Sequence, residues 1–122
     1  MILADTSVWI DHLSSEDKHF RQHLNQGQIV THPFIIAELA LGSLKDRTRT
    51  LALLDRLPHV RLAQLNEIRT MIEARRLYSL GMGLTDAHLI ASVLINPPTL
   101  LWTMDKQLRT VAGALGVHAN LP

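Results

Sequence analysis

The strand signals in this chain are short and uniformly apolar, and they are separated by stretches with helical spacing. Ile2-Leu3-Ala4 and Leu100-Leu101-Trp102 show no apolar–polar alternation. Strands with one wet face alternate; strands of a parallel sheet covered by helices on both sides do not. Residues 66–80 place Ile68, Met71, Ile72, Ala74 and Leu77 at mixed three- and four-residue intervals, the mark of one apolar helix stripe. Strand and helix signals alternate along the chain, which points to an α/β fold with a short parallel sheet flanked by helices on both faces.

Strands are expected at 2–4, 28–31, 60–63, 100–102 and 117–120. Helices are expected at 8–13, from the start signal Ser14-Ser15-Glu16-Asp17 to about 24, and at 34–44 behind Pro33. Further helices fall at 50–57 before Pro58, at 66–80 before Gly81, at 86–95 with Thr85 as N-cap, and from Asp105 to about 115. Asn96-Pro97-Pro98 is a turn, and Trp9 and Trp102 lie in apolar segments that read as core. At 122 residues with 47% hydrophobic composition, the chain suits one domain over 1–122 with a proper core.

Charge and cysteine content narrow the chemistry. Twelve basic and eleven acidic residues leave a net charge of +1, which is not the basic excess of a protein that coats nucleic acid. Cysteine is absent, so disulfides, thiolate metal sites and cysteine nucleophiles are excluded together. The longest apolar run, 34–41, is broken by Glu38 and is too short to span a bilayer. A soluble, cytoplasmic protein is expected.

Four acidic residues stand out by position. Asp5 directly follows the first strand and Asp105 lies just beyond Trp102. Both suit the crevice at the carboxyl ends of parallel strands, where ligand sites form. Asp86 opens a helix after a glycine-containing turn, and Glu38 is the only charge in an apolar helix. Buried there, Glu38 would need a cation, a hydrogen-bond network or a shared proton. Each also has a plain structural reading. Asp5, Asp86 and Asp105 suit turns and helix starts, and Glu38 could face solvent or pair with an arginine. As a set they mean more. Two carboxylates 4 Å apart repel by about 4 kcal/mol at an effective dielectric of 20, so several need a counter-charge. A divalent cation supplies it, and all-oxygen ligation favours Mg²⁺ or Mn²⁺ over Zn²⁺. The chemistry implied is phosphodiester hydrolysis without a protein nucleophile.

These residues resemble the motifs of one family. Ile2-Leu3-Ala4-Asp5-Thr6-Ser7 resembles the opening of PIN-domain nucleases. Glu38-Leu39-Ala40-Leu41-Gly42 is similar to their second acidic motif, Gly83-Leu84-Thr85-Asp86-Ala87-His88 to the third, and Trp102-Thr103-Met104-Asp105 to the fourth. They come in family order across nearly the whole chain. The compact size resembles VapC-type toxins in particular. The resemblance implies an endoribonuclease whose acidic metal site is Asp5, Glu38, Asp86 and Asp105. Asp5 and Asp86 would be direct ligands of Mg²⁺ or Mn²⁺, and Glu38 and Asp105 would act directly or through water. Thr6 or Ser7, together with Thr103, would orient carboxylates or water.

The resemblance further implies an RNA substrate, with tRNA a frequent target class, a cognate VapB-type antitoxin covering the crevice, and a homodimer. From the residues alone, Lys45, Arg47 and Arg49, or Arg75 and Arg76, are available for RNA phosphates, or they are simply solvated. His88, two residues after Asp86, reads as a surface or packed histidine. Two rival classes fit less well. A receiver-type signalling module needs paired acids after the first strand and a phospho-acceptor at a middle strand. A dehalogenase-type phosphatase needs Asp-x-Asp where this chain has Asp5-Thr6-Ser7. A PIN fold kept only as a binding scaffold remains the third alternative.

Overall fold

A computed structural model describes all residues, 1–122. Ten elements follow one another: β1 (Ile2–Ala4), α1 (Thr6–Ser15), α2 (Lys18–Asn25), β2 (Ile29–Val30), α3 (Pro33–Ala40), α4 (Arg47–Asp55), α5 (Leu65–Ala74), α6 (Leu84–Leu94), β3 (Leu100–Trp102) and α7 (Lys106–Ala114). The sheet order is β2-β1-β3 and both pairings are parallel. β1 is thus central, which explains why it carries no polar residue. Leu3, Ala4, Ile29, Leu101 and Trp102 are all buried, and they join Phe20, Ile35, Leu89, Ile90 and Leu108 in the main core. A smaller cluster of Ala63, Ile68, Ala87 and Ala91 packs α5 on α6.

Two expected strands shrink to single bridges. The segment after Pro58 pairs only at His59 with Thr31, and the C-terminal segment only at His118 with Leu101. The reasons are local. Arg61 donates its backbone N–H to Asn96 Oδ1 and accepts from Asn96 Nδ2, so a carboxamide takes the place of a strand partner there. Asn120 sits at φ 57, which ends the extended run on the other side.

Helix boundaries also move. The first helix starts at Thr6, because Asp5 is its N-cap. The second starts at Lys18 with Asp17 as cap, and Glu16 lies outside it at φ 53. The α3 helix stops at Ala40, and α4 begins at Arg47 and ends at Asp55. The α5 helix ends at Ala74, because Arg76 adopts φ 52 and the Leu77 N–H reaches back to Ile72 O at 2.9 Å. That is the left-handed helix stop usually given to glycine. Gly83, not Thr85, is the N-cap of α6, which places Asp86 within its first turn.

Candidate active site

Strand register builds the centre of the site. Ala4 pairs with Trp102, so Asp5 and Thr103 leave their strands side by side. The Asp5 N–H continues the ladder to Trp102 O at 3.0 Å. Thr103 is fully buried and Asp5 is only 6% exposed. The Thr103 hydroxyl donates to Asp5 Oδ2 and accepts the Asp105 N–H at 3.0 Å. Ser7 Oγ donates to Asp5 Oδ1 and accepts the Met104 N–H at 3.0 Å. Two hydroxyls therefore tie the β1–α1 junction to the β3–α7 junction and fix both oxygens of Asp5.

The other acids arrive on three helices. Glu38 lies on the second turn of α3 and is exposed, contrary to the burial its apolar neighbours suggest; Ile35 and Leu39 take the buried positions instead. Thr6 donates to Glu38 Oε1 at 2.7 Å. Asp105 is exposed and caps α7, accepting the Leu108 N–H at 2.9 Å. Asp5 likewise caps α1 through the Val8 N–H at 3.3 Å. Asp5 and Asp105 therefore serve as helix caps at adjacent strand ends, joined through the Thr103 hydroxyl. Asp86 is half-buried at the N-terminus of α6.

The four carboxylates share one electrostatic environment. Asp86 is raised above its ordinary 3.8 by burial first, then by the charges of Asp105, Asp5 and Glu38. Asp5 is also raised, by burial, against the opposing pull of its bonds from Ser7 and Thr103. No protein cation relieves them; the one ion pair in the molecule joins Arg21 to Glu16. A cluster of hard oxygen donors with no internal counter-charge fits a divalent cation. As the side chains stand, no three of them form a group that could hold a metal ion, so a cation here would rest on one or two carboxylates and waters, a coordination Mg²⁺ accepts.

Histidines line the neighbouring sheet edge without joining the acids. His32 follows β2 and caps α3, its Nδ1 accepting the Phe34 N–H at 3.0 Å. Burial, then the charges of His88 and His59, push its pKa down to about 4, so it is neutral at pH 7. His88 packs on Phe34 with ring centroids 4.4 Å apart.

The cations are divided in their roles. Lys45 and Arg49 are exposed, and Lys45 shares a cleft with Glu38. Arg47 instead donates to Ala40 O at 2.5 Å and Gly42 O at 3.2 Å, satisfying the carbonyl end of α3. Arg47→Ala is expected to cost about 1 kcal/mol of stability, read by chemical denaturation. An unchanged midpoint would show these bonds to be incidental. Arg75 and Arg76, by contrast, line a groove that also contains Asp105 and Lys106. Sequence reasoning missed that juxtaposition, and it missed His32; neither leaves a signal in local spacing.

Comparison with known proteins follows this geometry. A family model described as PIN domain matches residues 2–114. Ribonuclease VapC32 of Mycobacterium tuberculosis, found in two strains, is 40% identical over 117 residues, covering 96% of this chain and 94% of the relative.

Proposed function

Because this chain belongs to the PIN-domain family, and within it to the VapC ribonucleases, we propose that it is the toxin of a toxin–antitoxin pair. It is an endoribonuclease dependent on Mg²⁺ or Mn²⁺ that hydrolyses RNA phosphodiester bonds in the cytoplasm and so blocks translation. The observation that carries this reading is the convergence on Asp86 of the charges of Asp105, Asp5 and Glu38, beside the hydroxyl bridge from Thr103 that joins Asp5 to Asp105. The PIN domain is taken to fill the chain from 1 to 122.

Asp5 and Asp86 would hold the cation directly, and Glu38 and Asp105 directly or through water. Bound there, the ion would neutralise the cluster, activate a water and stabilise charge on the phosphate. The chain's own residues supply position. Ser7 and Thr103 donate to Asp5, one to each carboxylate oxygen, which keeps both lone-pair directions fixed. Thr6 holds Glu38. Thr103 also ties Asp105 to Asp5 through the Asp105 N–H. Such support orients ligands, and the bonds to Asp5 favour its ionised form against the effect of burial.

The partners follow from the same reading. A cognate VapB-type antitoxin would lie over the crevice. The apolar cleft of Ile10, Leu13, Leu39 and Leu44, which opens beside Glu38, offers it a seat. A homodimer is the expected assembly. Lys45 and Arg49, with Arg47 if it leaves its carbonyl partners, are available for phosphates near Glu38.

The test is cleavage by antitoxin-free protein of total tRNA, then rRNA and mRNA, with Mg²⁺ or Mn²⁺. Discrete fragments that disappear with EDTA are expected, and end sequencing would give the target. Folded, partner-free protein that cleaves none of these RNAs at any metal concentration would instead favour the binding-scaffold alternative.

A further inference from the structure

We propose that the groove between the α5–α6 connection and α7 is the track that holds RNA phosphates on their way to the carboxylates, with Arg75, Arg76 and Lys106 as its cationic contacts. The inference rests on the ribonuclease reading above and assigns the surface that grips the substrate. The groove has a volume of about 790 Å³, within the roughly 300–1,000 Å³ of ligand sites. Arg75 and Arg76 stand on one wall, and Lys106 stands on the other beside Asp105.

Charge is the first argument. Three cations line the groove against a single carboxylate, Asp105, which is already engaged in capping α7. Arg75, Arg76 and Lys106 are all exposed. The arginines that do find protein partners are Arg21, Arg47, Arg61 and Arg109. The cations of the groove are left free for an anion from outside, and a guanidinium fork matches a phosphate.

Backbone conformation is the second argument. Arg76 closes α5 at φ 52, a conformation that costs a non-glycine residue roughly 1–2 kcal/mol. Glycine would make the turn more cheaply, so the turn itself gives no reason for an arginine. Its charge on the lining of the groove does.

Continuity is the third argument. Lys106 directly follows Asp105 at the start of α7, so a phosphate held by Lys106 lies next to the acidic crevice. Leu80 and Leu115 line the same groove and offer apolar surface to bases while the cations take the backbone. An acidic peptide would find the same charges, but it has no use for the crevice at the end of the track.

The test measures binding of a short labelled oligouridine in the Asp86→Asn background, which prevents turnover, across a salt series. Arg75→Ala/Arg76→Ala is expected to raise Kd about 10-fold and Lys106→Ala about 3-fold. The slope of log K against log salt should fall by about 0.7 for each phosphate contact removed. Arg75→Lys/Arg76→Lys should keep most of the slope. With Asp86 intact, the alanine variants should raise KM by the same factors, about 10-fold and about 3-fold, and leave kcat within about twofold. Variants that melt like their parent yet keep its Kd and salt slope overturn the assignment. So does loss of poly-glutamate binding with oligouridine binding unchanged, which would make the groove a seat for an acidic protein. A native chain that cleaves RNA with unaffected groove variants removes the track alone. One that neither cleaves nor binds RNA removes the ribonuclease reading with it.

Discussion

Asp86→Asn protein is expected to lose RNA cleavage by a factor on the order of 10³ and yet to melt higher than the native chain at pH 7 without metal. The loss follows from the proposed role of Asp86 as a direct ligand, and it should exceed the 10–100-fold typical of residues that only support one. The gain follows from the direction of the pKa shift. The Asp86 carboxyl is raised above 3.8 by burial and then by Asp105, Asp5 and Glu38. A carboxyl with a higher value folded than unfolded favours the fold while protonated, and that contribution is lost as pH rises through the folded value. At pH 7 the ionised native side chain therefore works against folding, and the neutral amide does not. Asp86 is partly exposed and solvent screens its charge, so the gain should be no more than about 1 kcal/mol, or about 4 °C for a domain of this size. The advantage should close as pH falls below 3.8, where the native carboxyl is neutral in both states. Added Mg²⁺ should reverse the order. A ligand at 100 times its Kd stabilises the native chain by about 2.7 kcal/mol, and the variant should gain little. Calorimetry across pH, with and without Mg²⁺, beside a cleavage assay, checks all four parts. A variant that melts lower without metal, or still cleaves, would falsify the proposed ligand role of Asp86 and the repulsion it feels from its neighbours.

What could be read from the sequence was whatever is decided within a few residues. The apolar β1 and β3 triplets, each followed at a short distance by an aspartate, place Asp5 and Asp105 at the sheet's carboxyl edge. The capping chemistry of Asp5, Asp17 and Asp105 is local too, although the readings placed two of those helix starts a few residues away. What could not be read is decided across the chain. The C-terminal and post-Pro58 segments have strand-like composition, but Asn96 captures the backbone of Arg61 and Asn120 turns left-handed. The α3 helix holds more apolar residues than it has buried positions, so Phe34 and Leu41 stay exposed and Glu38 reaches solvent. Composition says how oily a helix is and leaves open which side the rest of the molecule will cover. The end of α5 was hidden because an arginine does the turning that a glycine would have announced. The groove it borders joins residues 75 and 106, which no periodicity links.

Thr103→Val should lower kcat 10–100-fold with KM within about twofold, and should cost roughly 1–3 kcal/mol of stability. The substitution keeps shape and removes one hydroxyl from a fully buried site. That hydroxyl makes two bonds, donating to Asp5 Oδ2 and accepting the Asp105 N–H, so one deletion loosens two carboxylates. Asp5 is also affected chemically. Burial raises its pKa, and the bonds from Ser7 and Thr103 hold it down. Without Thr103 it should rise further, and the acidic limb of the kcat profile should move to higher pH. Thr103→Ser restores the hydroxyl without the methyl group and should recover the rate and the position of that limb, though not all of the packing. These readouts separate positioning from simple support of the fold. A hydroxyl that only stabilises the protein would leave kcat and the pH profile native at temperatures well below melting. In that case the short path from Thr103 to both aspartates would be a folding contact, and the alignment of Asp5 would have to come from Ser7 and the Val8 N–H.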